Sequence, residues 1–389
     1  MFDTTQYKTR TVMKPRQNPT CDKYWGMAID IGYSAVKTFS PNSINCFPSY
    51  VKKVEYGTAD HAVGQVSKFS ISYRDDLKKE EYFVGMVAQA DASLTDASAS
   101  MLYNRERYLK PDFKILARVG FGLSMLTNNY GSPGDRPIYV QTGLPPAYLK
   151  EDTPLLCEAL SGHHEFSIKV GNNPQWTHFN FDIPTDHITV IAQPLGTLFS
   201  ISVDRQGGMI PEARKYLASS LLVFDPGFGT LDLFNIKSSY IKDTSTREDL
   251  GMKAVLERTA KILADEHQVI KTVHEIGNAL ENGFVTQLDK RTHSNKRINF
   301  APYLELASKE ICEEALNFVD ETHDYLDGYD YLVVTGGTGA AWESFIRNRY
   351  KDMETLQIIC GNQSDPDVLP VFSNVRGYYM QLLLNLKKK

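Results

Sequence analysis

A short stretch in the second half of the chain combines a carboxylate, two glycines and a hydroxyl. Residues 221–233 read Leu-Leu-Val-Phe-Asp-Pro-Gly-Phe-Gly-Thr-Leu-Asp-Leu, which predicts an apolar strand, a tight turn and a second strand. Gly227 and Gly229 would let backbone N–H groups face one anion. Asp225 beside them would suit a divalent cation held between carboxylate and phosphate. The alternative is an ordinary hairpin in which aspartate and glycine are only turn residues.

A second copy of this pattern lies near the start of the chain. Residues 25–39 read Trp-Gly-Met-Ala-Ile-Asp-Ile-Gly-Tyr-Ser-Ala-Val-Lys-Thr-Phe. Again an apolar run ends near an aspartate, Asp30. Gly32 and Ser34 follow, and then the alternation of apolar residues resumes. Lys37 adds a flexible point charge that suits phosphate. Two such hairpins facing each other can hold a polyphosphate from both sides.

A third glycine element follows another apolar run. Residues 331–342 read Tyr-Leu-Val-Val-Thr-Gly-Gly-Thr-Gly-Ala-Ala-Trp, which predicts a strand, a glycine turn and the start of a helix. Such a turn lets the backbone approach a ligand closely, and the helix N-terminus adds partial positive charge. None of the three stretches has the spacing of the Walker-type lysine loop or of the dinucleotide-binding G-x-G-x-x-G motif.

The order and separation of the three motifs resemble those of the actin-type ATPase superfamily. The stretches that begin at Asp30 and Asp225 correspond to the two phosphate hairpins of that family, and Gly336–Thr338 corresponds to its adenosine motif. Each motif alone is weakly specific. Their order along one chain is the stronger signal.

Three connecting segments extend the resemblance to about residues 25–385. Residues 138–146, Ile-Tyr-Val-Gln-Thr-Gly-Leu-Pro-Pro, are similar to a strand ending in TGLP in the bacterial plasmid-segregation actins of the ParM type. Residues 188–196, Ile-Thr-Val-Ile-Ala-Gln-Pro-Leu-Gly, resemble the segment that carries the residue positioning the attacking water. Residues 374–378, Asn-Val-Arg-Gly-Tyr, resemble the second connecting segment of the same proteins.

The resemblance implies an α/β fold of the actin-like, two-lobed type, made of duplicated ribonuclease-H-like domains with the nucleotide in the interlobe cleft. A chain of 389 residues also exceeds the usual size of a single hydrophobic core. We expect a flexible N-terminal tail at residues 1–23, a first lobe at 24–215 with a small insert at about 44–110, a second lobe at 216–375 with an insert at about 265–300, and a C-terminal helix at 376–389 that returns to the first lobe.

The resemblance also implies roles for the motif residues. Asp30 and Asp225 would hold Mg²⁺ largely through water, because this ion gives up its waters reluctantly. Lys37 would be the countercharge to the β- and γ-phosphates. The backbone of both turns would bind these phosphates through Gly32, Tyr33, Ser34, Gly227, Phe228, Gly229 and Thr230. The nucleoside would be held by Gly336, Gly337 and Thr338, with Lys309 and Glu310 as further candidates that are otherwise a simple exposed pair.

Gln193 is expected to orient the attacking water, with Asp225 as the proton acceptor. A neutral glutamine cannot take up a proton at about pH 7, so hydrolysis should be slow. The alternative for Gln193 is a buried structural amide. ParM carries a glutamate at this place, and the departure leaves open whether Gln193 or Asp225 dominates hydrolysis.

Weaker patterns lie between the motifs. Apolar residues at helical spacing predict a helix at 111–129, and Thr244–Glu248 has the residue pattern of a helix start. His163 and His164 have no partner at ligand spacing, so they are interpreted as surface or core histidines. The basic segment at 1–23 has a functional alternative to the flexible tail, namely a contact arm in an assembly.

Composition limits the partners of the protein. The hydrophobic fraction of 42% and the charged fraction of 23% are those of an ordinary globular protein, and the net charge of −5 offers no broad surface for DNA or an anionic membrane. Five scattered cysteines without a C-x-x-C pair indicate reduced thiols in the cytoplasm rather than a zinc site. No apolar run is long enough to span a bilayer.

The sequence therefore predicts a cytoplasmic ATPase that couples slow hydrolysis to polymerisation into dynamic head-to-tail filaments. GTP is also possible as the nucleotide, because the adenosine motif contacts the base mainly through backbone. By resemblance to the ParM type, the filament would segregate plasmid DNA through a DNA-bound adaptor protein, without itself contacting nucleic acid. The alternatives are a small-molecule kinase of the same superfamily that does not polymerise, and a static ATP-binding scaffold.

Overall fold

The structure is a computed structural model that describes residues 2–61, 64–91, 105–238, 240–289 and 291–389. Residues 62–63 and 92–104 of the expected insert at 44–110 lie outside this described part. The strands are β1 Val12–Pro15, β2 Trp25–Ile31, β3 Ala35–Ser40, β4 Ser43–Pro48, β5 Val51–Val54, β6 Ile71–Asp75, β7 Glu80–Val84, β8 Ile138–Leu144, β9 Gly162–Val170, β10 Thr177–Ile183, β11 Ile188–Ala192, β12 Ser220–Pro226, β13 Leu231–Lys237, β14 Tyr240–Arg247, β15 Phe284–Asp289, β16 Ser294–Asn299, β17 Tyr331–Val334 and β18 Gln357–Cys360.

Helices connect and cover these strands. The α-helices are α1 Met86–Ala90, α2 Pro111–Met125, α3 Pro146–Leu160, α4 Gln193–Ser202, α5 Ala213–Ala218, α6 Met252–His267, α7 Val273–Ala279, α8 Ala301–Thr322, α9 Gly336–Arg349 and α10 Ser373–Leu386. Short 3-10 segments lie at Thr4–Tyr7, Thr58–Asp60, Arg105–Leu109, Thr185–His187, Asp324–Leu326 and Pro370–Phe372. Within the described part of the chain, every helix is too short or too polar to cross a membrane.

The chain divides into two compact units. The N-terminal unit consists of Thr9–Ile210 and Asn362–Lys389, and the C-terminal unit consists of the residues up to Lys8 together with Pro211–Gly361. The unit boundaries thus fall at 210/211 and 361/362, whereas the sequence predicts lobe boundaries at 215/216 and 375/376. The C-terminal segment that belongs to the N-terminal unit therefore begins earlier than the helix α10.

The main sheet of the N-terminal unit has six strands in the order β1-β4-β3-β2-β8-β11. Strands β1 to β4 pair antiparallel, whereas β2, β8 and β11 run parallel. Strand β2 is buried along its whole length, which explains its nearly continuous apolar sequence. Helix α2, with Pro111 in its first turn, packs on β2, β3 and β4 and confirms the helix predicted at 111–129, although it ends at Met125.

A second sheet of the N-terminal unit has five antiparallel strands in the order β10-β9-β6-β7-β5. It takes strands from the expected insert and from the segment after α3. His164 is buried here, and this burial lowers its pKa to about 4, whereas His163 is exposed. The two adjacent histidines therefore have different environments.

The C-terminal unit repeats the plan of the first main sheet. Its strand order is β14-β13-β12-β17-β18, with antiparallel pairs up to β12 and parallel pairs from β12 to β18. Helices α6, α8 and α9 contribute to one hydrophobic core with β12, β13 and β17. The expected insert at about 265–300 contains α7, which begins with a capping box between Thr272 and Glu275, and the hairpin β15–β16. Each unit therefore has a three-stranded antiparallel meander extended by two parallel strands.

Two regions differ from the sequence-based expectations. Within residues 1–23, where a flexible tail is predicted, Thr4–Tyr7 form a 3-10 turn and Val12–Pro15 pair with β4. At Thr244–Glu248 the predicted helix start is wrong, because β14 continues to Arg247 and the helix begins only at Met252. In both regions pairing with another strand or contact with another element decides the conformation, and local residue preferences do not report this.

Candidate functional site

The hairpin β12–β13 of the C-terminal unit carries the motif that begins at Asp225. The Gly227 N–H donates to the Thr230 carbonyl at 2.7 Å and closes the turn. Two carbonyls of the same turn accept hydrogen bonds from the start of α6. The Met252 N–H donates to the Gly227 carbonyl at 3.0 Å, and the Lys253 N–H donates to the Phe228 carbonyl at 2.8 Å. Phe228 itself is partly buried and packs against the core of the unit. The predicted phosphate turn is therefore held rigidly from its outer side.

The glycine motif at the start of α9 lies directly against this hairpin. Gly336 has a φ of 78°, and a Cβ atom there would lie 3.0 Å from Oδ1 of Asp225. The Thr338 hydroxyl donates to the Gly227 carbonyl at 3.2 Å. Only glycine combines this backbone conformation with such close approach to the carboxylate. The structure thus brings Asp225, Gly227, Gly336 and Thr338 together, and Gly337 lies between the last two in the first turn of α9.

Sequence reasoning missed Asp232, which stands opposite Asp225 in the register of β12 and β13. Its buried carboxylate accepts from the Thr246 hydroxyl at 2.6 Å and from the Thr230 hydroxyl at 3.1 Å. Burial raises the pKa of Asp232, and the two hydroxyl donors oppose that shift only in part. The Thr230 hydroxyl is therefore engaged with Asp232, and its side of the turn is acidic.

The hairpin β2–β3 of the N-terminal unit has the same closure. The Gly32 N–H donates to the Ala35 carbonyl at 2.9 Å, and the Ser49 hydroxyl donates to the Gly32 carbonyl at 2.9 Å. Gly32 and Gly227 thus use their N–H groups within their own turns. These two N–H groups, predicted to bind phosphate, are therefore already hydrogen-bonded inside the protein.

Asp30 has a basic partner. It stands opposite Lys37 in the register of β2 and β3, and Nζ of Lys37 lies 2.9 Å from Oδ2 of Asp30. Asp30 is 5% exposed, and the lysine side chain is 20% exposed. Lys37 therefore neutralises this aspartate, and its side chain remains partly exposed.

The turn between β2 and β3 carries Tyr33 and Ser34. The guanidinium of Arg107 lies 4.7 Å from the ring centre of Tyr33, in the geometry of a cation–π contact. The carbonyl of Ser34 accepts from the Ser49 N–H at 3.0 Å. Arg107 is a second positive charge at this turn, and no motif in the sequence points to it.

Gln193 is the first residue of α4, directly after β11, and is half-buried. The position of α4 is fixed by its crossing with α10, where a Cβ atom on Gly377 would lie 1.6 Å from the Gly196 carbonyl oxygen. The Thr197 hydroxyl also donates to the Asn374 side chain. Any side chain at residue 377 would separate the two helices, so this crossing holds the helix start that carries Gln193.

Lys309 and Glu310, the further candidates for nucleoside binding, lie in the interior of α8. Lys309 is 3.9 Å from Glu313, and Glu310 accepts from Arg258 at 2.7 Å. They are thus not paired with each other, and each belongs to a surface ion pair within the C-terminal unit. Exposed pairs of this kind contribute little to stability.

The predicted aspartates suit Mg²⁺ by their chemistry. Carboxylate oxygen is a ligand that Mg²⁺ takes from proteins, and one or two carboxylates are enough because the ion keeps waters and binds phosphate oxygens. Asp30 and Asp225 each lie near the carboxyl end of a buried strand and are 5% and 8% exposed. Within the described residues, no group of three or more His, Cys, Asp or Glu side chains is placed to hold a metal alone. A cation here would therefore depend on a nucleotide and water.

Comparisons with known proteins support the architecture. Residues 28–196, less than half of the 389 residues, match the family described as the N-terminal domain of actin-like proteins. The comparison with curated proteins found no match. Among solved structures, a non-polymerisable quadruple mutant of pCBH ParM is 21% identical with a TM-score of 0.68, and a 15-stranded ParM filament from Clostridium botulinum is 20% identical with a TM-score of 0.69. Both alignments cover 94% of this chain and 100% of the other.

An archaeal actin homologue, Ta0583, in complex with ADP, is 12% identical, with coverage of 91% of this chain and 97% of the homologue and a TM-score of 0.60. At such identities the likeness establishes the fold and leaves the activity to be tested. The actin-like α/β fold predicted from the sequence is confirmed, as is the resemblance to ParM. Residues 28–196 are similar to the N-terminal domain of actin-like proteins.

Proposed function

We propose that the protein binds ATP with Mg²⁺, hydrolyses it slowly and polymerises head to tail into dynamic filaments that segregate plasmid DNA in the cytoplasm. The observation that carries the proposal is the hairpin that occurs once in each unit. In both hairpins the first strand carries an aspartate near its end, and a glycine N–H closes the turn that follows. The likeness to a solved ParM filament supports polymerisation. The likeness to a homologue solved with ADP supports nucleotide binding.

In this proposal the hairpins bind the phosphates and the cation. Asp30 and Asp225 hold Mg²⁺ largely through water, and the bound ion supplies neutralisation of phosphate charge. Lys37 adds positive charge, and the turns donate backbone N–H groups from residues 33–34 and 228–230. These contacts position the phosphates, which is the main requirement of phosphoryl transfer.

The nucleoside and the attacking water are assigned to other elements. Gly336, Gly337 and Thr338 approach the nucleoside through backbone at the start of α9, so ATP and GTP are both accepted by this contact. Gln193 orients the water, and Asp225 accepts its proton, because an amide cannot act as a base. Lys309 and Glu310 are left out of this ligand set, since each has an ion-pair partner within the C-terminal unit.

The proposed filament growth and the proposed attachment to DNA through an adaptor rest on different properties of the protein. A head-to-tail contact joins two different surfaces and does not close on itself, so it generates a filament. The net charge of −5 gives no basic surface for DNA, and the proposal therefore includes a DNA-bound adaptor protein.

The test is right-angle light scattering after addition of ATP and Mg²⁺, with phosphate release followed in parallel. Scattering that rises and then decays as phosphate accumulates is the expected result. Scattering that rises and persists without phosphate release would replace the dynamic filament by a static scaffold. Absence of scattering at every concentration would refute polymerisation, and phosphate transfer to a sugar or small metabolite would then indicate a kinase.

A further inference from the structure

The first residues of the chain belong to the C-terminal unit, although the chain continues from Thr9 in the N-terminal unit. We name residues 2–8 the N-terminal arm. Thr4–Tyr7 form a 3-10 turn, and the Asp3 side chain accepts the Thr5 N–H at 2.9 Å as its cap. The arm is therefore an ordered element with its own local structure.

The arm is anchored on the C-terminal unit by buried side chains. Tyr7 is 8% exposed and belongs to the core of that unit, where burial raises its pKa to about 12. The Tyr7 hydroxyl is hydrogen-bonded to the Ser308 hydroxyl, which also accepts the indole N–H of Trp342 at 3.0 Å. The buried Thr4 hydroxyl donates to the carbonyl of Leu280. Burial of the Tyr7 ring thus anchors the arm, and the buried hydroxyls of Thr4 and Tyr7 both have hydrogen-bond partners.

Charge adds a further contact at the end of the arm. The ammonium group of Lys8 forms an ion pair with Glu281, which follows Leu280 in the chain. Phe2 stacks on Tyr7 with ring centres 5.7 Å apart. The arm thus fills a groove whose floor is formed by α8, α9 and the segment after α7.

The chain is anchored again a few residues later in the N-terminal unit. Strand β1 pairs with β4, and Nη2 of the buried Arg16 donates to both oxygens of Asp365 at 2.8 and 2.7 Å. Only residues 9–11 separate Lys8 from Val12. Because an extended chain spans at most about 3.6 Å per residue, the Cα atoms of Lys8 and Val12 cannot separate by more than about 14 Å.

We propose that the N-terminal arm is a detachable third connection between the two units, beside the links at 210/211 and 361/362, and that its groove is a docking site for this segment. Any movement of the units that draws Lys8 and Val12 further apart than the linker reaches requires the arm to leave the groove as long as β1 stays paired with β4. Release of the arm from its groove therefore favours separation of Lys8 from Val12, and that separation favours release of the arm, because coupling between two equilibria is reciprocal. The 3-10 turn of the arm also contacts α9, the helix that begins at Gly336. Coupling to nucleotide through that helix rests on the proposed function.

The test uses a fluorescein-labelled peptide of residues 1–10 and fluorescence anisotropy, without nucleotide. The peptide should bind a variant that lacks residues 1–8. It should bind the full-length protein about tenfold or more weakly, because the tethered arm occupies the groove at high effective concentration. The affinity of the full-length Tyr7→Ala variant for the peptide should lie between those of the deletion variant and the wild type. A peptide that carries Tyr7→Ala should fail to bind the deletion variant.

A second variant separates docking from folding. Insertion of about twelve Gly and Ser residues between Thr9 and Arg10 keeps every arm contact and lengthens only the linker. This variant should keep the thermal midpoint of the wild type and bind the peptide several-fold more tightly than the wild type does. Equal peptide binding by wild type, insertion variant and Tyr7→Ala, or no binding to any variant, would overturn the proposal. Since no nucleotide is present, either result leaves the proposed ATPase activity to its own test.

Discussion

The two hairpins share a backbone plan and differ in the residue that faces the strand-end aspartate. In the N-terminal unit Asp30 faces Lys37, with 2.9 Å between carboxylate and ammonium. In the C-terminal unit Asp225 faces Asp232, whose carboxylate is bound by two threonine hydroxyls. Both turns are closed by a glycine N–H, and in both a hydroxyl donates to the carbonyl of that glycine.

The two turns share their closure and differ in their charge. One hairpin pairs its aspartate with a lysine, and Arg107 lies at the same turn, which suits it to phosphate. The other hairpin places a second buried carboxylate opposite the first, which suits it to a cation. We therefore expect the two aspartates to contribute unequally to catalysis, although their positions in the fold correspond.

The largest expected effect distinguishes the two strand-end aspartates. Asp225→Asn removes the proposed proton acceptor as well as a cation ligand, so phosphate release should fall about 100-fold or more. Asp30→Asn removes only a cation ligand and should reduce release less. Phosphate release at saturating ATP and Mg²⁺ is the measurement. Equal losses in the two variants would show that the hairpins are functionally equivalent.

The contact between Gly336 and Asp225 predicts the next effect. Gly336→Ala forces an alanine into positive φ and places its Cβ atom against the carboxylate, which should lower the free energy of unfolding by about 1–2 kcal/mol. It should also weaken ATP binding, because the start of α9 must shift. Gly277→Ala is the matched control, since nothing lies within 4 Å of its added Cβ atom and the residue is inside α7.

The Gly277→Ala control should be neutral or stabilising, because alanine is favoured over glycine inside a helix. Urea unfolding of both variants, followed by circular dichroism, measures the difference. Equal stability of Gly336→Ala and wild type would contradict the close approach of α9 to the hairpin.

The ion pair of the N-terminal hairpin can be broken from its basic side. Lys37→Met leaves the buried Asp30 without its counter-ion and should lower the free energy of unfolding by about 1–2 kcal/mol, less than for a fully buried pair because Lys37 is partly exposed. Lys309→Met is the control, since its pair with Glu313 is exposed and should be worth about 0.5 kcal/mol or less. Urea unfolding without nucleotide compares them, and similar small losses would show that Lys37 is not needed to compensate Asp30.

The smallest expected effect is the pH dependence of stability that Asp232 contributes. Its pKa is raised in the folded protein, so the folded state binds the proton more tightly than the unfolded state does. This contribution is present below the unfolded pKa of about 4 and is lost as pH rises through the higher folded pKa. The stability of wild type relative to Asp232→Asn should therefore be greatest at low pH and decline as pH rises. A difference that is constant from acid to neutral pH would contradict the shift.

Local sequence patterns were sufficient for the parts of the fold where neighbours in the chain decide the structure. The strand–glycine–strand hairpins and the helix from Pro111 follow from apolar spacing and turn residues, and the structure contains all of them. Asp232 was within reach of the same reasoning, because it follows Asp225 by seven residues as Lys37 follows Asp30. Aligning the two hairpins residue by residue would have identified it.

Other features depend on partners that are distant in the chain. Tyr7 and Arg16 lie in a polar, basic segment, and contacts with residues far along the chain, among them Ser308 and Asp365, order it. Thr244–Glu248 differs in that its partner is close in the chain: it has the composition of a helix cap, but pairing with the neighbouring strand β13 makes it a strand. Residue preferences decide neither case, because the stabilising free energy comes from contacts between elements.

The most direct test of the central claim is isothermal titration calorimetry of ATP into the wild-type protein, with Mg²⁺ present and with Mg²⁺ removed by a chelator. If the hairpins bind a nucleotide together with its cation, one ATP should bind per chain, and removal of Mg²⁺ should weaken binding by about tenfold or more. No heat of binding, or the same affinity with and without Mg²⁺, would contradict the assignment of Asp30 and Asp225.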